Sequence, residues 1–246
     1  MRALIFSSLV LCLLFVASDV LPAAASRARG GADQVIEFGG IAGSVIVAGG
    51  YQRPKPLPVF KNRKFCGPTV ANETLIVGVA GELQNAAVML RPRGGRPALS
   101  PGLLVLDNQQ CAFRPHVQIG VLGGELLLKN SDPILHTVHA RLGRETLFNV
   151  GLPKWREVIK RLDRVGVIRI DCDVLHTWMS AAVIVTDTPY FALTDSAGRF
   201  KIDGLPTGEY DMEVWHERLG ARKQAISILA GGMVQVEFIY SAEEIR

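Results

Sequence analysis

Hydrophobic residues from Gly40 onward occur in short runs rich in Val, Ile and Leu, which Gly and Pro interrupt. Few stretches repeat apolar residues at helical spacing, and short runs of this kind are typical of β-strands. The pattern therefore predicts an all-β fold. In the first half of the chain it predicts strands over residues 43–48, 74–79, 86–90, 103–106, 117–122 and 125–129. The Gly123-Gly124 pair predicts a hairpin turn between the last two of these strands.

One strand of the second half ends on a cysteine. Ile168, Ile170 and Cys172 alternate with polar residues, so these three side chains share one face of a strand and Cys172 points into the core at its end. A further apolar strand follows over residues 182–185. The segment 176–179 is therefore predicted to be a loop that connects two core strands.

The pattern changes from Thr188 onward to a compact series of alternating segments separated by Gly-containing turns. This series predicts a second, smaller β-sandwich module with strands over residues 191–194, 199–202, 209–215, 225–229 and 234–240. Residues 154–162 fit both a helical face and strand alternation, and we favour a strand. The segments 54–64 and 91–101 are predicted to be exposed loops.

The N-terminus has the composition of an export signal. An apolar run follows Arg2, and Ala23-Ala24-Ala25 precede a polar segment, which is typical of a cleaved signal peptide. A retained membrane anchor is the alternative, but the run is short for a bilayer span. The predicted domains are a signal peptide over 1–25, a first β domain over 26–186 and the smaller module over 187–246, in a periplasmic or secreted protein.

Charge and cysteine content narrow the possible functions. The formal net charge is +4, without a run of basic residues, which does not favour nucleic acid as a partner and is compatible with an acidic protein. Removal of the signal peptide leaves Cys66, Cys111 and Cys172. Because disulfides persist in exported proteins, an odd number means that one thiol is free, bound to a ligand or paired between chains.

Four residues have the chemistry of a metal site: His136, Cys172, His176 and Met179. Two imidazoles, a thiolate and a thioether form the donor set of a mononuclear electron-transfer copper site, in which one ion cycles between Cu(I) and Cu(II). Zinc also accepts Cys and His but rarely takes a methionine. Each residue alone also has a purely structural interpretation, as a buried hydrophobe or a hydrogen-bonded histidine. The combination favours copper.

The segments NSDPILHTVH (130–139) and CDVLHTWM (172–179) resemble the amicyanin and plastocyanin-like cupredoxins. The resemblance implies a Greek-key β-sandwich and implies that His136, and not His139, is the first ligand. The ligand loop has three residues between Cys and His where amicyanin has two, and Thr137 stands where cupredoxins often have an asparagine. The second segment also resembles the copper loop of cytochrome oxidase subunit two, but Ile168 occupies the place of its first cysteine, which argues against a binuclear centre.

The segment YFALTDSAGRFKIDGLPTGEY (190–210) resembles the carboxypeptidase regulatory-like β-sandwich family, a binding or scaffolding module without catalytic residues. Both modules in one exported chain resemble bacterial periplasmic proteins grouped with methylamine-utilisation proteins. If Cys172 binds copper, Cys66 and Cys111 are the natural disulfide pair. A bond from Cys172 to one of them is the competing possibility, and it would destroy the copper site.

These observations predict a one-electron carrier and not an enzyme, with His176 as the exposed edge through which electrons pass. A periplasmic redox protein such as a c-type cytochrome or a dehydrogenase is the expected partner. A copper carrier or sensor without electron-transfer turnover is the first alternative. A non-catalytic interaction module that has lost its metal site is the second.

Overall fold

The computed structural model describes residues 37–245, and nearly all of its regular structure is β, so the all-β prediction is confirmed. The predicted signal peptide over 1–25 lies outside the described residues. Within the described part, none of the helices has the length and hydrophobicity needed to cross a bilayer.

Eighteen strands follow one another within residues 37–245, with one short helix, α1 (Arg63–Cys66), and a final 3₁₀ turn (Ala242–Glu244). The first nine are β1 (Phe38–Ala48), β2 (Leu57–Pro58), β3 (Thr69–Val70), β4 (Ala87–Pro92), β5 (Leu103–Gln109), β6 (Ala112–Arg114), β7 (Val117–Val121), β8 (Glu125–Asn130) and β9 (His136–Leu142). The others are β10 (Glu145–Leu152), β11 (Glu157–Arg161), β12 (Gly166–Asp171), β13 (Ser180–Thr186), β14 (Phe191–Leu193), β15 (Arg199–Pro206), β16 (Gly208–His216), β17 (Gly220–Ile228) and β18 (Met233–Ser241).

Two sheets from the middle of the chain enclose one hydrophobic core. One sheet has the order β10-β9-β12-β13-β7 and the other the order β11-β8-β5-β6. Alternation along β8, β9 and β12 directs every second side chain inward. The inward residues of both sheets form a single cluster whose largest fully buried members are Leu106, Phe113, Leu126, Leu128, Leu152, Leu162 and Ile170. This region is a β-sandwich.

A second pair of sheets, ordered β15-β1-β18 and β14-β4-β16-β17, encloses a separate core. Strands β1 and β4 precede the first sandwich in sequence, yet β1 pairs with β15 and β18, and β4 pairs with β14 and β16. The predicted module over 187–246 therefore completes its sheets with residues 38–48 and 87–92. Its core therefore combines residues from 41–47 and 75–90 with residues from 200–240.

Strand β4 explains how the two sandwiches contact each other. Its side chains Val88 and Leu90 lie in the core of the second sandwich, while Ala87 and Met89 pack in a third cluster with residues of β7 and β13. Both faces of β4 are thus buried, which is why its sequence is a continuous apolar run without alternation. The contact places β13, the strand that follows the predicted ligand loop, against the second sandwich.

Two local predictions are wrong, and one ambiguous segment is resolved. Strands β7 and β8 do not pair with each other, because β7 pairs with β13 and β8 pairs with β5 and β11. The Gly123-Gly124 turn therefore joins two sheets and is not a hairpin. Residues 74–79 form no strand, only an isolated bridge from Val77 to Leu83. The segment 154–162 contains strand β11, as favoured.

His216, at the end of β16, gives a testable pH dependence of stability. Burial, with the charges of His116 and Arg218, lowers its pKa to about 4. The unfolded chain, with a His pKa of about 6.5, binds more protons between these values, so stability falls as the pH drops from about 7 to about 4, by up to about 3 kcal/mol for this residue.

We expect His216→Asn to lose less stability than the wild type over that pH range, because asparagine keeps an acceptor for the Arg218 N–H and does not titrate. Urea unfolding of both proteins at neutral and acid pH measures the difference. Equal losses of unfolding free energy in the two proteins would contradict the assignment.

Candidate metal centre

Three of the four predicted ligands meet at one end of the first sandwich. Strands β9 and β12 are antiparallel neighbours with Asp171 opposite His139. The start of β9 and the end of β12 therefore lie at the same end of the sheet, which brings His136 next to Cys172. The chain then turns through Leu175, which has a left-handed φ of 66°, and this turn directs His176 back into the core.

The three donor atoms are close together and buried. His136 Nδ1 lies 3.0 Å from His176 Nδ1, and Cys172 Sγ lies 3.9 Å from the first nitrogen and 3.7 Å from the second. The exposed fractions of the three residues are 0%, 4% and 1% in chain order. First-row metal ions bind imidazole nitrogen at about 2.0–2.1 Å and thiolate at about 2.3 Å, so donors that share one ion stand about 3–4 Å apart. The spacing fits a single ion.

The outer nitrogens of both imidazoles have side-chain partners. His136 Nε2 lies 3.0 Å from Asp132 Oδ2, and His176 Nε2 lies 2.9 Å from Asn62 Oδ1. Each partner atom is an acceptor, so each Nε2 carries its proton and donates it. The neutral imidazoles then present the lone pairs of their Nδ1 atoms to each other. Such a pair needs a cation between the nitrogens, either a proton or a metal ion, and the donor set suits copper.

The electrostatics of the cluster agree with this arrangement. Burial raises the pKa of Asp132, but His136 and the N–H groups of Cys111 and Gln110 outweigh it and lower that pKa. Burial opposes a charge on His136, yet Asp132 and Cys172 raise its pKa. Burial and the charge of His136 lower the pKa of His176 to about 4. One positive charge is therefore favoured at this position and a second is not.

The thiol of Cys172 is held in a form suited to metal binding. Burial raises its pKa, but the contact with the His136 imidazole and the N–H groups of Thr137 and Val174 lower it overall. The backbone N–H of Thr137 donates to Cys172 Sγ at 3.4 Å, and the N–H of Asp173 donates to Thr137 Oγ1 at 2.6 Å. Thr137 thus ties the two ligand strands together at the position where the resemblance leads one to expect asparagine.

Met179, the predicted axial ligand, closes the ligand loop. Its backbone N–H donates to the carbonyl of His176 at 2.9 Å, and its side chain is buried in the same hydrophobic core as Cys172 and Trp178. The turn from His176 to Met179 keeps both residues at the end of β12. Ligation by the thioether stays a prediction.

The expectation that His176 forms an exposed edge is wrong. Its side chain is covered by Asn62, which belongs to the segment 54–64 that the sequence predicts to be an exposed loop. Lys61 Nζ also donates to the carbonyl of Val174 at 3.3 Å, so this segment is fastened across the ligand loop. Two large hydrophobic residues directly next to His136 and His176 in sequence, Leu135 and Leu175, are exposed, at 49% and 65%.

The disulfide prediction is confirmed. Cys66 and Cys111 are bonded, and Cys172 is free and buried. Cys66 ends α1, and its N–H donates to the carbonyl of Asn62 at 2.9 Å. Cys111 contributes its N–H to Asp132 at 2.8 Å. The disulfide therefore joins the segment that covers His176 to the turn that contacts the partner of His136.

The other histidines lie elsewhere. His139 Nε2 is 2.9 Å from Thr146 Oγ1, and His116 Nε2 is 2.9 Å from Glu217 Oε2. Within residues 37–245, the His, Cys, Asp and Glu side chains form one group spaced for a metal ion, and that group is His136, Cys172 and His176.

Sequence reasoning missed two residues of the site, Asp132 and Asn62. Asp132 lies four residues before His136 and is followed by a proline. A carboxylate so close in sequence to a predicted ligand could have indicated a hydrogen-bond partner for its imidazole. Asn62 is 114 residues away from His176 in sequence, and no local sequence pattern predicts that contact.

This protein shows limited similarity to known proteins. No protein-family model matches the chain, and no curated protein sequence matches it. Among solved structures, a copper-containing nitrite reductase from Thermus scotoductus SA-01 aligns with 39% of this chain and 25% of its own, at 18% identity and a TM-score of 0.32. A purple cupredoxin from Nitrosopumilus maritimus aligns over 35% of this chain and 99% of its own, at 18% identity and a TM-score of 0.31.

An amicyanin variant in the reduced state aligns over 39% of this chain and 98% of its own, at 17% identity and a TM-score of 0.31. These structural neighbours are cupredoxins that cover a minority of the chain, and the chain spans a quarter of the length of the nitrite reductase. Because these TM-scores are low, we infer the function from the site itself.

Proposed function

We propose that this protein is an exported one-electron carrier that holds a single copper ion through His136, Cys172 and His176, with Met179 as the weak axial ligand. The observation that carries the proposal is the buried cluster of two facing imidazole Nδ1 atoms and one cysteine sulfur, 3.0–3.9 Å apart. Copper in such a site supplies a one-electron couple between Cu(I) and Cu(II).

The surroundings of the three donors support electron transfer over delivery of the ion. Each donor has a hydrogen-bond partner: Asp132 for His136, Asn62 for His176 and the N–H of Thr137 for Cys172. The donors therefore keep their positions when the charge at the centre changes. A fixed donor set keeps the rearrangement that accompanies electron transfer small. Delivery of copper to another protein requires that a recipient ligand reach the ion, and all three donors are buried. The exchange of electrons does not require such access.

In this proposal the chain is not an enzyme. It exchanges electrons with periplasmic redox proteins such as a c-type cytochrome or a dehydrogenase, and the second sandwich, which resembles the carboxypeptidase regulatory-like modules, is a scaffold. Because Asn62 covers His176, a partner that docks at this end of the sandwich contacts Asn62 and the exposed Leu175, and not the imidazole itself.

Reconstitution with copper tests the proposal. The chain without its predicted signal peptide, residues 26–246, is loaded with Cu(II), and its visible spectrum and reduction potential are measured. We expect one ion per chain, an intense thiolate-to-copper absorption band and a reversible one-electron couple. Uptake of Cu(I) without a band or a reversible couple would favour the delivery function instead. No uptake of copper in either oxidation state would contradict both functions.

A further inference from the structure

A buried carboxylate contacts one of the two imidazoles, and only a neutral amide contacts the other. Asp132 is 2% exposed and its Oδ2 lies 3.0 Å from His136 Nε2, while His176 Nε2 faces the amide oxygen of Asn62. We propose that Asp132 is a positioning residue of the centre: it holds His136 with Nδ1 toward the ion, and its charge favours the more oxidised form of that ion. This inference rests on the proposed function.

The carboxylate is built into the protein by several donors. Its Oδ1 accepts the N–H of Gln110 at 2.7 Å, and its Oδ2 accepts the N–H of Cys111 at 2.8 Å. Together with the N–H of His136, the carboxylate accepts three hydrogen bonds. None of these partners can accept a proton from it, so the contacts require the ionised form. A buried carboxylate is costly unless it is hydrogen-bonded in this way.

The position of Asp132 is fixed on its other side by Asn130. Asn130 Oδ1 accepts the N–H of Asp132 at 3.1 Å, and its Nδ2 donates to the carbonyls of Ile134 and Leu152. The short segment between the end of β8 and the start of β9 is therefore rigid, and it carries both the carboxylate and the ligand. A four-residue separation is enough for the side chains of Asp132 and His136 to meet.

A carboxylate that accepts the Nε2 proton of His136 changes the donor properties of its Nδ1 atom. It fixes the tautomer in which Nε2 is protonated, and it makes the imidazole a stronger donor at Nδ1. Its negative charge also lies one imidazole ring away from the ion, at buried positions where charges are screened only weakly. Both effects stabilise Cu(II) relative to Cu(I), so Asp132 lowers the reduction potential of the centre.

Asp132 also has a structural task, which the experiment must separate from its effect on the metal. Gln110 and Cys111 both have left-handed backbone angles, with φ of 53° and 58°, and the carboxylate accepts the N–H groups of both. In Asp132→Asn, one amide oxygen is available where two carboxylate oxygens now accept. Loss of folded protein in this variant alone would therefore say nothing about the metal.

The chain offers a matched variant for this reason. Asp132→Asn removes the charge from the outer side of His136, and Asn62→Asp adds one to the outer side of His176, at an exposed position. We expect opposite shifts. At a fixed solution potential, Asp132→Asn should raise the ratio of Cu(I) to Cu(II) at least tenfold, which is ~59 mV for a one-electron couple, and Asn62→Asp should lower it.

An unchanged potential in a folded, copper-loaded Asp132→Asn protein would overturn the inference, and so would shifts of the same sign in both variants. If Asp132→Asn does not fold, nitrogen-15 NMR of wild-type protein loaded with Cu(I) replaces it. The expected spectrum has a proton on His136 Nε2 that exchanges slowly with solvent, and no proton on Nδ1. Metal binding through Nε2 would overturn the inference.

The same NMR measurement separates this inference from the proposed function. With zinc(II) bound instead of copper, the tautomer of His136 is read without any redox chemistry. A protein that shows the expected His136 proton with zinc but no reversible copper couple would contradict the electron carrier and leave the positioning role of Asp132 intact. A reversible copper couple in a protein whose His136 carries its proton on Nδ1 would contradict the positioning role of Asp132 and leave the electron carrier intact.

Discussion

Cys172→Ser is expected to abolish the visible thiolate-to-copper band completely and to weaken copper binding strongly. Cys172 supplies the sulfur of the three-donor cluster, and the intense absorption of such sites arises from the bond between sulfur and Cu(II). A serine hydroxyl is a harder donor and does not ionise near neutral pH. The N–H of Thr137 and the two imidazoles stay in place in this variant, so the result reports on the donor and not on the position of the strands.

His139→Asn provides the control for this experiment. His139 lies next to His136 in the His-x-x-His motif but outside the cluster, with its Nε2 against Thr146. We expect this variant to keep the band, the copper stoichiometry and the thermal unfolding temperature close to those of the wild type. Equal bands in Cys172→Ser and the wild type would contradict the ligand assignment. Loss of the band in His139→Asn would contradict the choice of His136 over His139.

The parts of the site that the sequence predicts are those determined by short stretches of chain. Strand alternation over 168–172 directs the Cys172 side chain inward because inward and outward positions alternate strictly along a strand. The interval from Cys172 to His176 is short enough for one turn to bring both side chains to the same point. His136 required a second segment, and the resemblance to cupredoxins supplied it.

The parts that the sequence did not predict depend on contacts between distant segments. The segment 54–64 is mostly exposed, as its prolines and charged residues predict, yet it places Asn62 on His176. The error about the exposed edge of His176 follows directly from this. Likewise, β1 joins the C-terminal module through a parallel pairing with β18, and no local pattern encodes a partner nearly 200 residues away.

The hairpin prediction at Gly123-Gly124 was wrong for a related reason. The two glycines make a turn, as their conformational freedom predicts, but a turn does not determine whether the strands on either side pair with each other. In this protein the turn carries the chain from one sheet of the sandwich to the other. The choice depends on the other strands available in each sheet, and a window of two strands does not contain that information.

Removal of the disulfide is the prediction with the largest expected effect on stability. Cys66 and Cys111 are separated by 45 residues, and a cross-link over a loop of this length stabilises the folded state by about 4 kcal/mol through restriction of the unfolded chain. The double variant Cys66→Ser with Cys111→Ala should lose about this much free energy of unfolding. Chemical denaturation monitored by circular dichroism measures it, and Lys64→Ala in α1 serves as a control that keeps the disulfide.

The same variant should also open the metal centre, because the disulfide fastens the segment that carries Asn62. Without it, the segment around α1 is held to the first sandwich by Val59, which is buried in that core, and by the contacts of Lys61 with Val174 and of Asn62 with His176. We expect a chelator to remove copper from the double variant at least tenfold faster than from Lys64→Ala. A lower stability with an unchanged rate of copper loss would show that the disulfide stabilises the fold without controlling access to His176.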